Sequence, residues 1–450
     1  MNTGRILRNL ARLGLCVFCA VLTVFLHPFF SGPRSSSTLI QAGLGGNLST
    51  EVVLPFHLSA LRAVFPIGRV ISAVDYYIAK RNSQLLREEL QDKAFGARPP
   101  QDPGGKQVYI LAIGESSRPD RWQLAGYGRA TNPVLSREPD LVWLHDVVTP
   151  WTYTLAAVPV ITTSKPGTDS SLFVAEKSVL SLFREAGFRT YWISNQARPR
   201  NASAPVGQIA SEADETRWTN VTDSVDDAAD ASYDEVVLTP LREILGRPEM
   251  RQLVVLHLMG SHDAYFRRYP AAFNHFRPSL TDSPDADWHS AANSDLINNA
   301  YDNSVLYTDH VLGSAISALR MQDAVSALYY MSDHGESLFD GRCSMIGHGG
   351  TARPNYQVSA FAWLSPRYMQ AFPEVMPALQ TNSAKRISTE DTLNSLADLA
   401  HIAFASADRT RSIFSHLFRE HQRVVHVAQN LVDWDKARFI GRCEEPTAAE

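Results

Sequence analysis

The chain has 450 residues, of which 44% are hydrophobic and 20% charged, with a formal net charge of -5. This supports one large domain or a few ordinary ones with a sizeable core, and it lacks the strongly basic balance of a nucleic-acid-binding protein. Four cysteines are too few for a disulfide scaffold or a cysteine-rich metal site: Cys16 and Cys19 lie in an apolar N-terminal segment, while Cys343 and Cys443 either pair in an oxidising compartment or stay as core thiols.

Residues 1–12 carry Arg5, Arg8 and Arg12 and no acidic residue, and residues 13–30 follow without a formal charge. A basic start before an apolar run of this length predicts a single uncleaved span with a cytoplasmic N-terminus over residues 1–34, near whose end stands His27-Pro28. Either an anchor or a signal peptide exports everything downstream. Residues 35–106 read as a connector. Its first part, to residue 50, is rich in Ser and Gly, and from Arg69 a helical spacing puts Val70, Val74, Tyr77 and Ile78 on one face. That helix either packs on the domain or lies on the membrane surface. The Pro- and Gly-rich stretch AFGARPPQDPGGK closes the connector.

From residue 107 to 450 apolar strands alternate with helices, the pattern of an α/β domain with a largely parallel central sheet flanked by helices. Strands are predicted at 108–114, 188–194, 253–259, 327–332 and 357–365. Helices are predicted at 178–186, ending at Gly187, at 241–245, around 303–320, and from about 388, where Ser388 and Asp391 have capping-box spacing.

The strand ends carry the chemistry. The first ends in Glu115, the second in Asn195 and Gln196, the third in His257 and His262, and the fourth in Asp333 and His334 with His348 soon after. Parallel strands bring their carboxyl ends to one edge, so these segments can converge on one site. Glu115, Asp333 and His334 then offer two carboxylates and an imidazole to a zinc-like cation with a fourth position open. The segment TPWTYTLAAVP (149–159) is rich in hydroxyls, and one placed at that position would become a nucleophile at neutral pH. The plainer alternatives are that Thr154 caps a helix and that His257, inside an apolar strand, is a core histidine.

The texts IGESSRPDRWQLAGYGRATNP (113–133), HLMGSHDAYFRRYP (257–270), YDNSVLYTDHV (301–311) and YMSDHGES with the later GHGG resemble the lipopolysaccharide phosphoethanolamine transferases of the alkaline phosphatase/sulfatase superfamily. The resemblance covers most of residues 107–405. It implies an alkaline-phosphatase-like domain behind a short membrane anchor, with Glu115, Thr154, Asp333 and His334 as zinc ligands and Thr154 as nucleophile. Thr149, Thr152 and Thr162 are the fallback nucleophiles; the donor set alone does not separate zinc from manganese. It further implies that His262 and His348 offset phosphoryl charge or protonate the leaving oxygen. Asn195, Gln196 and His257 would stand on the substrate side, with a plain loop role as the equal alternative for Asn195 and Gln196.

The activity implied is transfer of phosphoethanolamine from phosphatidylethanolamine to lipopolysaccharide, through a covalent threonine intermediate, by an enzyme of the bacterial inner membrane whose catalytic domain is periplasmic. The chain departs from the family in showing one plausible span where members usually carry several. It also has Pro150-Trp151 where lipid A-modifying members have a cysteine, which makes it more similar to the branch acting on inner-core heptose. Two rival readings are glycerophosphate transfer onto a periplasmic or surface glycan, and an inactive ectodomain serving as an envelope sensor.

Overall fold

The computed structural model describes residues 38–42, 50–54, 90, 93–100, 103–171, 174–198, 204–220 and 233–448. The chain divides into two units, Met1–Gln84 and Leu85–Glu450. Of the first, only an antiparallel pair of strands is described, Thr38–Ala42 with Thr50–Leu54, within the stretch whose Ser and Gly content pointed to a connector. The expected span at residues 13–30 and the helix from Arg69 lie outside the described residues. No helix among the described residues is long and apolar enough to cross a membrane.

The second unit is built on seven strands. In chain order they are β1 (Lys106–Gly114), β2 (Leu141–Trp143), β3 (Arg189–Ser194), β4 (Glu215–Trp218), β5 (Arg251–His257), β6 (Ala324–Ser332) and β7 (Ala360–Leu364). Their order across the sheet is β2-β7-β6-β1-β5-β3-β4. β6, β1, β5, β3 and β4 run parallel, while β7 is antiparallel to both β6 and β2. The sheet is therefore largely parallel, as the strand-helix alternation predicted, with its only reversed strand near one edge.

β1 shows why the middle of the sheet is so apolar. Tyr109, Leu111 and Ile113 enter one core with Phe183 and Trp192, while Val108, Ile110 and Ala112 enter a second core with Ile297, Val305 and Leu312 of the helix Ser294–Arg320. Successive side chains point to opposite faces, and both faces are covered, so the strand reads as a continuous apolar run. The two strands missed by sequence pattern, β2 and β4, are short edge strands. In β4, Glu215 pairs with Arg247 and Arg217 on the sheet rim, the kind of charged edge that blocks pairing with another chain.

Helix ends follow the capping signals. Ser178 caps Val179–Glu185 through Leu180 N, and Ser388 and Asp391 form the expected capping box. The helix placed around 303–320 starts earlier, at Ser294. The C-terminal segment forms two small hairpins, Val424–Val427 with Asn430–Asp433 and Arg438–Ile440 with Glu445–Thr447. A Cys343–Cys443 disulfide joins the second of them to the rest of the unit. Arg423 is another tie: its guanidinium, 3% exposed, reaches Asp146 at 2.8 Å and Asp435 at 2.5 Å. Arg423→Ala removes the cation shared by both carboxylates, leaving Asp435 only Arg386 at 3.8 Å, and is expected to lower unfolding free energy by ~3 kcal/mol, read from denaturant melts.

Candidate metal centre and nucleophile

The carboxyl ends of the parallel strands do converge. Gly114 at the end of β1 pairs with Ser332 at the end of β6, and Ile113 pairs with His257 of β5. Asp333 N donates to Gly114 O, so Glu115 and Asp333 leave the sheet side by side. Both carboxylates and His334 are fully buried.

His334 Nε2 stands 3.1 Å from Glu115 Oε1 and 3.4 Å from Asp333 Oδ2. The other ring nitrogen, Nδ1, lies 2.9 Å from Gly335 O, which can only accept, so Nδ1 carries a proton and Nε2 is the nitrogen turned toward the carboxylates, where a bound metal would replace its proton. Asp333 Oδ1 accepts from Ser116 N and His334 N, whereas the buried Oδ2 has no hydrogen-bond partner. Burial pushes both carboxyls up, yet the neighbouring His334 imidazole outweighs this at Glu115 and holds it well below the usual range. A buried carboxylate oxygen without a hydrogen bond, a second carboxylate and an imidazole nitrogen turned toward both are a donor set that fits a zinc-like cation.

Thr154 completes the group. Its Oγ1 donates to Glu115 Oε2 at 3.0 Å and lies 3.4 Å from His334 Nε2. Thr154 is the first residue of the helix Thr154–Thr162, whose N-cap is Tyr153, so its side chain is not spent on capping and faces the cluster. The fallback hydroxyls are otherwise engaged or placed: Thr149 is buried and takes a hydrogen bond from Thr389 Oγ1, and Thr162 donates to Val158 O at the far end of the helix. Thr152 is buried beside the segment, where its carbonyl accepts from Gly349 N.

His348 follows the two-stranded ribbon Ser337–Leu338 with Ile346–Gly347 and stacks near His334, with ring centroids 4.7 Å apart. Its Nδ1 is 3.3 Å from Glu336 Oε2, and Tyr265 Oη donates to the other oxygen of that carboxylate at 2.6 Å. His262 lies 4.9 Å from the His348 ring. Its Nδ1 sits 2.7 Å from Asp263 Oδ1; burial pulls the imidazole down, but Asp263 and Glu115 outweigh that and push it up to about 9. Donor atoms of Glu115, His334 and His348, and separately of His262, Asp263 and His348, lie within 4.8 Å of one another.

Three residues expected on the substrate side occupy other places. Asn195 is fully buried and donates to Asp234 Oδ1 at 2.9 Å. His257 is 1% exposed, packs edge-on against Trp192, and is pulled down to about 4 by burial, which makes it the core histidine of the plainer alternative. Gln196 donates to Glu115 Oε2 at 2.9 Å and to Leu258 O, so it positions the metal-side carboxylate and its amide is not free for substrate. A buried loop amide is a better partner for a buried carboxylate than for a ligand in solvent, and that preference is what sequence position alone could not reveal.

Other residues hold the site without touching its centre. Asp234 accepts from Met259 N and Gly260 N and so fixes the loop that carries His262. Tyr301 donates to Ser116 O at 2.6 Å and accepts from Arg118 N, Asp302 takes Tyr127 and Arg129, and Asp309 takes Val134 N and Leu135 N. The motif at 301–311 is thus a clamp on the motif at 113–133. Spacing offered a signal for this, since Tyr301, Asp302 and Asp309 sit near one face of a long helix.

Gly335 lies between His334 and Glu336, and a Cβ there would run into the carbonyl oxygens of Pro354 and Gln357. Both are backbone atoms that cannot swing aside. Gly335→Ala is expected to cost ~3 kcal/mol and to lower zinc content together with stability, as measured by melts and elemental analysis.

The Sulfatase family model matches residues 107–402. Phosphoethanolamine transferase EptC of Escherichia coli (strain K12) is 26% identical over 378 residues, 80% of this chain and 63% of that protein. Phosphoethanolamine transferase EptA of Salmonella typhimurium (strain LT2) is 28% identical over 344 residues, 74% of this chain and 59% of that protein. The chain spans about three fifths of the length of these curated relatives. Among solved structures, the C-terminal periplasmic domain of EptC from Escherichia coli in complex with Zn aligns with a TM-score of 0.67 at 26% identity, covering 77% of this chain and 99% of that one.

Proposed function

The chain belongs to the sulfatase family, among relatives of the phosphoethanolamine transferases, and from that premise we propose that it transfers phosphoethanolamine from phosphatidylethanolamine to a lipopolysaccharide acceptor, with the catalytic unit on the periplasmic side of a bacterial inner membrane. The observation that carries this reading is the position of Thr154 Oγ1, 3.0 Å from Glu115 Oε2 and 3.4 Å from His334 Nε2 in an otherwise closed set of buried donors. Glu115, Asp333, His334 and Thr154 would hold zinc, which, when bound, supplies a Lewis acid that favours the deprotonated hydroxyl and offsets phosphoryl charge.

Glu115 accepts the Thr154 hydrogen bond and fixes the side chain for attack. The Thr154 hydroxyl proton passes by way of Glu115 to solvent as Oγ forms the new bond to phosphorus, the phosphorus–oxygen bond to diacylglycerol breaks, and His262 or His348 delivers a proton to the departing oxygen. Asp263 behind His262, and Glu336 behind His348, keep those imidazoles oriented and favour their charged forms, so they can also balance the charge on the transferring group. An acceptor hydroxyl then attacks phosphorus, giving its proton to the imidazole that lost one, while the phosphorus–Oγ bond breaks and Thr154 takes a proton back from solvent.

The test is intact mass of the full-length protein in detergent after incubation with zinc and phosphatidylethanolamine. An added phosphoethanolamine located on Thr154 by peptide mapping is expected. An adduct from phosphatidylglycerol instead would mean glycerophosphate transfer, and no adduct from either lipid would refute the covalent route.

A further inference from the structure

A second cavity of about 450 Å³ opens beside the centre, and four of its lining residues are the arginines Arg118, Arg342, Arg353 and Arg442, against the two carboxylates Asp340 and Glu444. Those carboxylates are already spoken for. Arg118 holds Asp340 at 2.8 Å, and Arg353 holds Glu444 at 3.1 Å while lying over the Phe439 ring. Arg342 and Arg442, both exposed, have no ion pair or hydrogen bond among the described residues, so two guanidinium groups at the cavity are unpaired; Arg118 is shared between Asp340 and Asp120, at 2.6 Å, which leaves the surroundings with one net positive charge.

How those two come together is written in the chain. Gly341-Arg342-Cys343 and Gly441-Arg442-Cys443 are the same tripeptide repeated a hundred positions apart, and the disulfide joins the two cysteines. Each glycine has a positive φ, 56° and 74°, so each tripeptide starts from a turn that most residues resist. Two like charges at one cavity repel each other, and a covalent bond between their neighbours removes the option of drifting apart. Such a pair is arranged for a dianion, because a guanidinium fork matches phosphate oxygens two at a time. The lining includes Gly, Ala, Pro and Gln357 but no aromatic wall, which suits a hydrated sugar phosphate better than an acyl chain.

The cavity also shares its segments with the centre. Arg118 follows Glu115 by three positions, and Arg342 and Cys343 lie in the turn of the ribbon that ends at His348. We propose that this cavity is the recognition site for a phosphate ester on the saccharide acceptor, clamped by Arg342 and Arg442 across the Cys343–Cys443 disulfide. This assignment of the ligand rests on the transferase reading above; the phosphate-binding part does not.

The zinc-loaded full-length protein is titrated calorimetrically with glucosamine 1-phosphate, with glucosamine as the uncharged-group control. Arg342→Gln with Arg442→Gln is expected to weaken phosphosugar binding about tenfold or more, and raising salt is expected to weaken binding to the parent in the same direction. Cys343→Ser with Cys443→Ser should give a similar loss. Unchanged affinity in the arginine double variant, or in the serine double variant, overturns the clamp. In parallel, release of diacylglycerol from dihexanoyl phosphatidylethanolamine with water as acceptor should stay within about twofold of the parent in the arginine variant, since neither arginine touches the Thr154 cluster. Loss of that release would reassign the arginines to the lipid donor and overturn the acceptor assignment. Absence of release in parent and variant alike would defeat the transferase reading, while the titration would still decide the phosphate site.

Discussion

Thr154→Ala is expected to abolish transfer, lowering the rate by a factor on the order of 10⁴ or more, while leaving the fold intact. The hydroxyl's side-chain partners, Glu115 and His334 among them, belong to the cluster itself, and alanine is the better helix former at the first position of Thr154–Thr162. The loss should therefore appear in turnover and in adduct formation, with the melting temperature little changed. Thr154→Ser restores an oxygen at the same place and is expected to recover activity to within about tenfold. If the alanine variant still formed the adduct, Thr152 would become the residue to examine, being the nearest threonine in sequence not already bonded through its side chain. A variant that lost activity and stability together would instead mean that Thr154 is structural.

Asp333→Asn is expected to weaken zinc binding by about 100-fold or more, a loss of ~2.7 kcal/mol, measured by competition with a chromophoric chelator. Asp333 Oδ1 keeps its two backbone donors after the change, since an amide oxygen accepts them equally well. The effect falls on Oδ2, which is buried and has no hydrogen-bond partner. If the amide nitrogen takes that position it donates toward His334 Nε2, occupying the lone pair that a metal would use. Linkage gives a second readout. Zinc at 100 times its dissociation constant stabilises the native parent by ~2.7 kcal/mol, so a chelator should lower the parent's melting temperature and barely move that of the variant. Equal zinc content in parent and variant would remove Asp333 from the ligand set.

The convergence of Glu115, Asp333 and His334 was readable because two simple regularities coincide: strands buried on both faces show as apolar runs, and parallel strands end on one edge. Thr154 could be preferred only through the resemblance, since three threonines share its segment, with Thr162 just beyond it, and spacing does not say which one begins a helix. The residues behind the site were harder to see. Asp234 looks like any acidic residue before a helix, and its two backbone donors come from a loop after β5. Glu336 stands in the quoted motif, but its partners Tyr265 and His348 belong to distant segments. The pairing of Cys343 with Cys443 stayed open because a long separation along the chain carries no information about separation in space. Asn195 and Gln196 were placed at the correct strand end, but position alone did not show that their amide nitrogens donate to buried carboxylates, Asp234 and Glu115.

The hydroxyl of Thr154 meets a carboxylate 39 positions before it and an imidazole 180 positions after it. Among the described residues, no short stretch owns the donors that meet at Thr154, so the pocket exists only once the sheet has closed. The choice of metal then falls to whichever ions surround the chain at that moment. A consequence for the bench is that protein refolded from denaturant should take its metal from the refolding buffer, and the buffer's contents would decide what sits among Glu115, Asp333 and His334.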